Sequence, residues 1–140
     1  MSTLTNKVAI IDDDFSICRA LARLLRAMGF ETETFHSGES FLSEGAKRDF
    51  SCLLVDVQLG GISGLEMHRR LLAMGNRTPV VFITAHDDPA LQVQAEQNGC
   101  AGFLRKCDPG TRIADALRNA GTCARDFEQA PSLRPAVNAA

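Results

Sequence analysis

The chain has no apolar run approaching the about 20 residues a membrane helix needs, no basic run, no aromatic-basic stripe and no internal repeat. Its opening residues, Met1–Lys7, are too short and too polar for a secretory signal. A net charge of -2 gives no global pull toward nucleic acid. Direct nucleic-acid binding and membrane association are therefore not expected. The five cysteines, Cys18, Cys52, Cys100, Cys107 and Cys123, include no CxxC pair and no Cys/His metal spacing. An odd number without a secretory signal reads as reduced thiols, which points to the cytoplasm. Three of them lie in apolar surroundings as core filler, and Cys107 reads as filler too.

What is present fits one compact domain. The chain has 140 residues, 45% of them hydrophobic and 23% charged, enough to bury a real core. The stretch Cys52–Val57 is a short apolar run of strand length with one carboxylate, Asp56, near its end. Burying an unpaired charge costs several kcal/mol or more, so Asp56 is expected where the strand emerges and polar partners can reach it.

Four other stretches of strand length follow the same logic. Lys7–Ile11 ends in Asp12, Asp13 and Asp14. Glu31–Phe35 alternates, as a half-buried strand does. Val80–Ile83 ends at Thr84, and Gly102–Arg105 ends at Lys106. Between them lie helical segments. Phe15–Met28 carries Ile17, Leu21, Leu24, Leu25 and Met28 on one stripe, with Gly29 to stop it. Ser37 caps a short helix to about Leu42 that Gly45 ends. Leu65–Met74 follows a glycine-rich loop, with Leu65, Leu71 and Leu72 as buried candidates. Asp88-Pro89 caps a helix to Asn98, stopped by Gly99, and Asp108-Pro109 repeats that signal before a last helix to about Cys123. His36 and His68 read as surface residues.

Five short strands alternating with five helices make an α/β chain with a doubly wound parallel sheet. Sites in such folds lie outside the C-terminal strand ends. Here four of those ends carry an acid pair, an acid, a hydroxyl and an ammonium.

The chain resembles the receiver domain of bacterial two-component response regulators from about Lys7 to Ala120. The resemblance rests on Asp12-Asp13 before a helix, the lone Asp56, Thr84-Ala85, Lys106 and the loop Gly61-Ile62-Ser63-Gly64. It implies the strand order 2-1-3-4-5. It also implies that Asp56 accepts a phosphoryl group from a sensor histidine kinase or phosphotransfer protein. Such a chain is a signalling receiver and not an enzyme in the ordinary sense, since it catalyses only Mg2+-dependent transfer to its own Asp56 and the hydrolysis that follows. A carboxylate is a competent nucleophile for phosphoryl capture, and the transfer needs positioning and charge neutralisation above all.

By the same resemblance Asp13 and Asp56 ligate Mg2+ with the Gln58 backbone carbonyl, and Asp12 acts mainly through water. Adjacent carboxylates repel unless a cation lies between them, and Mg2+ favours oxygen ligands. Asp14, directly before Phe15, reads instead as a helix cap. Lys106 and the Thr84 hydroxyl would meet phosphoryl oxygens. Thr84 and Phe103 would form the switch, with a plain core phenylalanine as the alternative for Phe103. Gln58 and His86 would tune the lifetime of the acyl phosphate, unless His86 is only an exposed loop residue. The fourth helix, fifth strand and fifth helix would change shape for a downstream protein target, or for the chain's own output domain had one been removed. A dimer would form through the same face.

Two departures from the family stand out. Cys107 takes the place of the usual proline after the lysine, so a trans bond or a strained loop is expected. Gly60-Gly61 replaces the hydrophobe-Pro-Asp type of sequence common after the acceptor, and loosens that loop. Residues 1–123 are read as the receiver and 124–140 as a disordered tail or linker. A phosphorylation-independent interaction module is the alternative function. A phosphatase would want an acid where Gln58 stands, and an FMN phosphate would be repelled by the acidic loop.

Overall fold

The computed structural model describes residues 6–85 and 88–129, with no account of the side chains of 122–129. His86 and residues 130–140 lie outside the described residues. The strands are β1 (Lys7–Ile11), β2 (Glu31–Phe35), β3 (Cys52–Asp56), β4 (Val80–Thr84) and β5 (Gly102–Arg105). All pair in parallel in the order β2-β1-β3-β4-β5. The helices are α1 (Phe15–Ala27), α2 (Gly38–Ser40, continued by a π turn over Phe41–Gly45), α3 (Gly64–Ala73), α4 (Pro89–Gln97) and α5 (Gly110–Gln129).

Apart from Lys7, Asp56 and Thr84 at their ends, β1, β3 and β4 are apolar because both of their faces are covered. On one face Val8, Ile10, Cys52, Leu54, Val81 and Ile83 pack with Leu21 and Leu25 of α1 and Ile113 and Leu117 of α5. On the other, Ala9, Ile11, Leu53, Val55 and Phe82 meet Phe41, Leu65, Met67 and Ala95. Alternate residues of each strand therefore serve opposite cores. β2 is an edge strand, and the partial exposure of Glu31–Thr34 follows from that position.

The caps follow the sequence closely. Asp14 Oδ1 accepts the N–H groups of Ser16 and Ile17, Ser37 accepts that of Ser40, and Asp88 accepts those of Ala90 and Leu91. Ser63 caps α3 through the Glu66 N–H. Each such cap is worth about 1 kcal/mol. At α5 the expectation fails: the Asp108 carboxylate turns back to the Arg105 N–H at 3.0 Å, and the Pro109 carbonyl receives the first helical N–H groups. α5 also runs past Cys123 to Gln129.

Three side chains differ from their sequence reading. Leu72 is exposed, because α3 turns Leu65, Met67, His68 and Leu71 inward instead. Cys107 is exposed in the turn after Lys106 and fills no core. His68 is buried, its ring edge-on to Phe82 at 5.7 Å between centroids, because it stands three residues from both Leu65 and Leu71 on the inner face. His36 is half-buried and stacked on Phe15 at 3.7 Å.

Burial holds the His68 imidazole below the ordinary histidine range. A histidine kept neutral in the fold supports stability above its unfolded pKa of about 6.5, and that support is lost as pH falls through it. On acidification from about pH 7.5 to about pH 5.5, the thermal midpoint of the wild type should fall further than that of His68→Leu. Parallel pH profiles for the two proteins would contradict the assignment.

Candidate functional site

Parallel pairing sends the C-terminal ends of β1, β3, β4 and β5 to one edge of the sheet, and the reactive side chains gather there. Asp12 follows β1 and is buried. Its N–H donates to the Phe35 carbonyl at 3.1 Å, and its Oδ1 accepts the Asp14 N–H at 3.0 Å. The Cys18 thiol lies 3.1 Å from its carbonyl oxygen. Asp13 is exposed, and its Oδ2 accepts the Gly60 N–H at 3.0 Å.

Asp56 is the last residue of β3 and is 6% exposed, deeper than a strand rim. Its Oδ1 accepts the Gln58 N–H at 2.9 Å. Its Oδ2 receives Lys106 Nζ at 3.0 Å, and the same ammonium lies 2.9 Å from Asp12 Oδ2. The Lys106 backbone is fixed by its N–H donating to the Thr84 carbonyl at 2.7 Å. Its bond to Cys107 is trans, and no non-glycine residue among those described has positive φ. The loop is thus unstrained without proline, and the ammonium still reaches both acids.

One oxygen from each of Asp12, Asp13 and Asp56 lies within 4.8 Å of the others. Three carboxylates against one ammonium leave two negative charges in excess. Burial pushes the Asp56 carboxyl above the ordinary aspartate range, and the charge of Asp12 adds to this. Hydrogen bonds from Gln58 and Lys106 oppose the rise without cancelling it. For Lys106 burial works against the charge, yet the bonds to Asp12 and Asp56 win and hold its pKa above the usual lysine value.

Thr84 is buried at the end of β4. Phe103 on β5 is half-buried, its ring 6.4 Å from Phe82, so it is neither a plain core residue nor free of the core. The Gln58 side chain is exposed beside Asp56. A separate cleft of about 400 Å³ between α1 and β2 includes Arg19, Arg23, Arg26 and His36 in its lining and none of the acid cluster.

The sequence matches the response regulator receiver domain model over residues 8–118. The chain belongs to this family. Curated relatives include the response regulator protein TodT of Pseudomonas putida, 32% identical over 120 residues, with 86% of this chain and 53% of that protein covered. The transcriptional regulatory protein FixJ of Azorhizobium caulinodans is 38% identical over 111 residues, covering 79% and 53%. The chain spans about half the length of these relatives. Among solved structures, response regulator StyR aligns with a TM-score of 0.80 at 33% identity over 94% of this chain and 67% of that one. A CheY-like receiver from Methanospirillum hungatei shares the fold with a TM-score of 0.80 at 16% identity, over 87% of this chain and 98% of that one.

The chain thus carries a receiver domain of two-component signalling, and such domains are signalling modules and not classical enzymes. No helix among the described residues is long and apolar enough to cross a membrane. Receiver domains generally bind Mg2+ at an acidic pocket, and here Asp12, Asp13 and Asp56 form an acidic cluster at the corresponding strand ends. The fit is physical as well as familial. The donors are all oxygen, the charge excess matches a divalent cation, and among the described residues buried Asp12 Oδ2 has the Lys106 ion pair but no hydrogen bond of regular geometry.

Sequence reasoning missed two supports of the site. Glu39 of α2 accepts the Ile62 N–H at 3.0 Å, in the loop after β3. Gly64 lies so close to the Asp56 carbonyl oxygen that a Cβ there would collide with it. The family loop motif includes Gly64, but only the packing says why it is glycine.

A metal-binding carboxylate must be deprotonated. Because the Asp56 pKa is raised, Mg2+ affinity measured by calorimetry should begin to fall at a pH above the ordinary aspartate range as acid is added. Asp56→Asn should lose that dependence together with most of the affinity; a flat profile in the wild type would contradict the geometry. Gly64→Ala should lower unfolding stability by about 2 kcal/mol through overpacking and shift the Asp56 amide resonance. An unchanged spectrum and midpoint would show that the contact is relieved elsewhere.

Proposed function

We propose that this receiver takes a phosphoryl group onto Asp56 from a sensor histidine kinase or a phosphotransfer protein, and that the modified site changes a protein-binding face. The observation that carries the reading is the Lys106 ammonium held 2.9 Å from Asp12 and 3.0 Å from Asp56 at the edge of the sheet. An Asp56 carboxylate oxygen attacks phosphorus, the bond from phosphorus to the donor imidazole nitrogen breaks, and the departing imidazole keeps the electron pair and takes a proton. The new acyl phosphate brings negative charge beside Lys106, which is already in place and need not be assembled during transfer. Lys106 then pairs with a phosphoryl oxygen, and the Thr84 hydroxyl donates to another.

Asp13, Asp56 and the Gln58 carbonyl would hold Mg2+, with Asp12 reaching it through water; when bound, the ion supplies positive charge to the phosphoryl oxygens. Gln58, exposed beside Asp56, and His86 would in this reading set how readily water hydrolyses the acyl phosphate.

Output follows from the same contacts. Drawing the Thr84 hydroxyl toward phosphate vacates space beside β5, and Phe103, half-buried against Phe82, turns inward. The α4-β5-α5 surface then presents a different shape to a downstream target, to an output domain, or to a second receiver in a dimer. Residues 1–123 constitute this unit. The phosphorylation-independent alternative drew its support from Cys107 and Gly60-Gly61. The trans bond at Cys107 and the reach of Lys106 remove the first of those supports.

Incubation with Mg2+ and acetyl phosphate should add one phosphoryl mass to the intact wild-type protein and none to Asp56→Asn. Lys106→Met should slow labelling by about a hundredfold, the usual cost of removing one preorganised electrostatic contact. No adduct in the wild type, or an adduct that survives Asp56→Asn, would overturn the proposal.

A further inference from the structure

The two glycines after the acceptor strand make a loose loop in sequence, yet the structure ties this loop at several points. The Gly60 N–H donates to Asp13 Oδ2 at 3.0 Å, the Ile62 N–H to Glu39 Oε2 at 3.0 Å, and the Gly64 N–H to the Val57 carbonyl at 2.9 Å. Gly61 adopts φ of 76°, and a Cβ at that position would stand 2.5 Å from Glu39 Oε2. A residue with a side chain would be strained by that φ and would push the carboxylate away. Ile62 is seated on α2 as well, since a Cβ on Gly38 would lie 2.8 Å from its Cγ1. The glycine pair therefore lets α2 grip the loop.

Asp13 is the member of the acid cluster in need of such help. Asp12 is buried and paired with Lys106, and Asp56 is held by Gln58 and Lys106. Asp13 is exposed, and its Oδ2 accepts a hydrogen bond from the Gly60 N–H in the loop after β3. A metal-ligating carboxylate works best when a further hydrogen bond fixes its orientation. The loop that brings Gly60 to Asp13 is anchored two residues later on Glu39. Hydrogen bonds from its own backbone N–H and from the Ile62 N–H hold the Glu39 carboxyl below the usual range, so it is the ionised acceptor at neutral pH.

We propose that Glu39 is a positioning residue for the cation site: by holding Ile62 it keeps the Gly60 N–H on Asp13 Oδ2, leaving the other Asp13 oxygen turned to a divalent cation. This rests on the reading of Asp12, Asp13 and Asp56 as the Mg2+ pocket. It adds to that pocket a residue of α2 that touches neither the cation nor the phosphoryl group. Glu39 is exposed, so its removal should leave global stability nearly unchanged.

The test compares wild type, Glu39→Ala and Glu39→Gln by two readouts, amide hydrogen exchange across residues 58–63 without metal and Mg2+ affinity by calorimetry. Glu39→Ala should exchange faster in the loop and bind Mg2+ about tenfold more weakly, the scale on which supporting hydrogen bonds act on metal ligands. Glu39→Gln keeps an acceptor oxygen and should recover both, with thermal midpoints alike in all three proteins. Wild-type exchange in Glu39→Ala, or faster exchange with undiminished Mg2+ affinity, would overturn the assignment. A wild type that itself binds no Mg2+ would sink the pocket and this role together, and is recognised because all three proteins then fail alike.

Discussion

A single ammonium stands between two buried carboxylates that the chain places 44 residues apart, and the upper edge of the sheet depends on it. Asp12 and Asp56 sit 1% and 6% exposed, where an unpaired charge would be expensive. Lys106 reaches both from a strand that neighbours neither, and can do so because all the strands end on the same side. The compensation is incomplete by design of the residue set: Asp13 adds a third carboxylate that Lys106 does not meet in the ion pairs observed. The apolar layers on both sheet faces supply the stability that lets such a charge excess persist.

Much of this was legible in the sequence because the constraints are local. The apolar runs of β1, β3 and β4 are continuous since both faces are buried, and the strand-end acids, hydroxyl and lysine stand immediately after those runs. The caps at Asp14, Ser37 and Asp88 were readable for the same reason: a cap involves residues two or three apart. What escaped depends on contacts between distant segments or on residue type outweighing position. His68 reads as polar, but its spacing from Leu65 and Leu71 places it inside. Asp108 has the form of a cap and serves Arg105 instead. Glu39 has no signature of its own, since its partner Ile62 is 23 residues away.

Of the two departures from the family pattern, Cys107 takes the first of its two expected forms, a trans bond, and Gly60-Gly61 is held by more contacts than its sequence suggests. Without proline, the turn at Cys107 closes through a trans bond with unstrained backbone, and Lys106 arrives in register because its N–H is held by the Thr84 carbonyl. The loop at Gly60-Gly61 is tied to Asp13 and to Glu39. Conformational freedom in the unfolded chain is spent on one specific shape, with a positive φ at Gly61 that a carboxylate from α2 can approach. Glycine here marks a close approach between segments, and flexibility is the wrong inference from it.

The proposed function requires Asp56, Lys106, Thr84 and the acid pair to serve one phosphoryl position. The most direct measurement is a crystal structure grown with Mg2+ and beryllofluoride, a mimic of the bound phosphoryl group. The account predicts beryllium on an Asp56 oxygen, fluorines met by Lys106 Nζ and the Thr84 hydroxyl, and Mg2+ on Asp13 and Asp56. A structure from saturating concentrations of both that leaves Asp56 paired with Lys106 and unmodified, or seats the ions elsewhere, would contradict it.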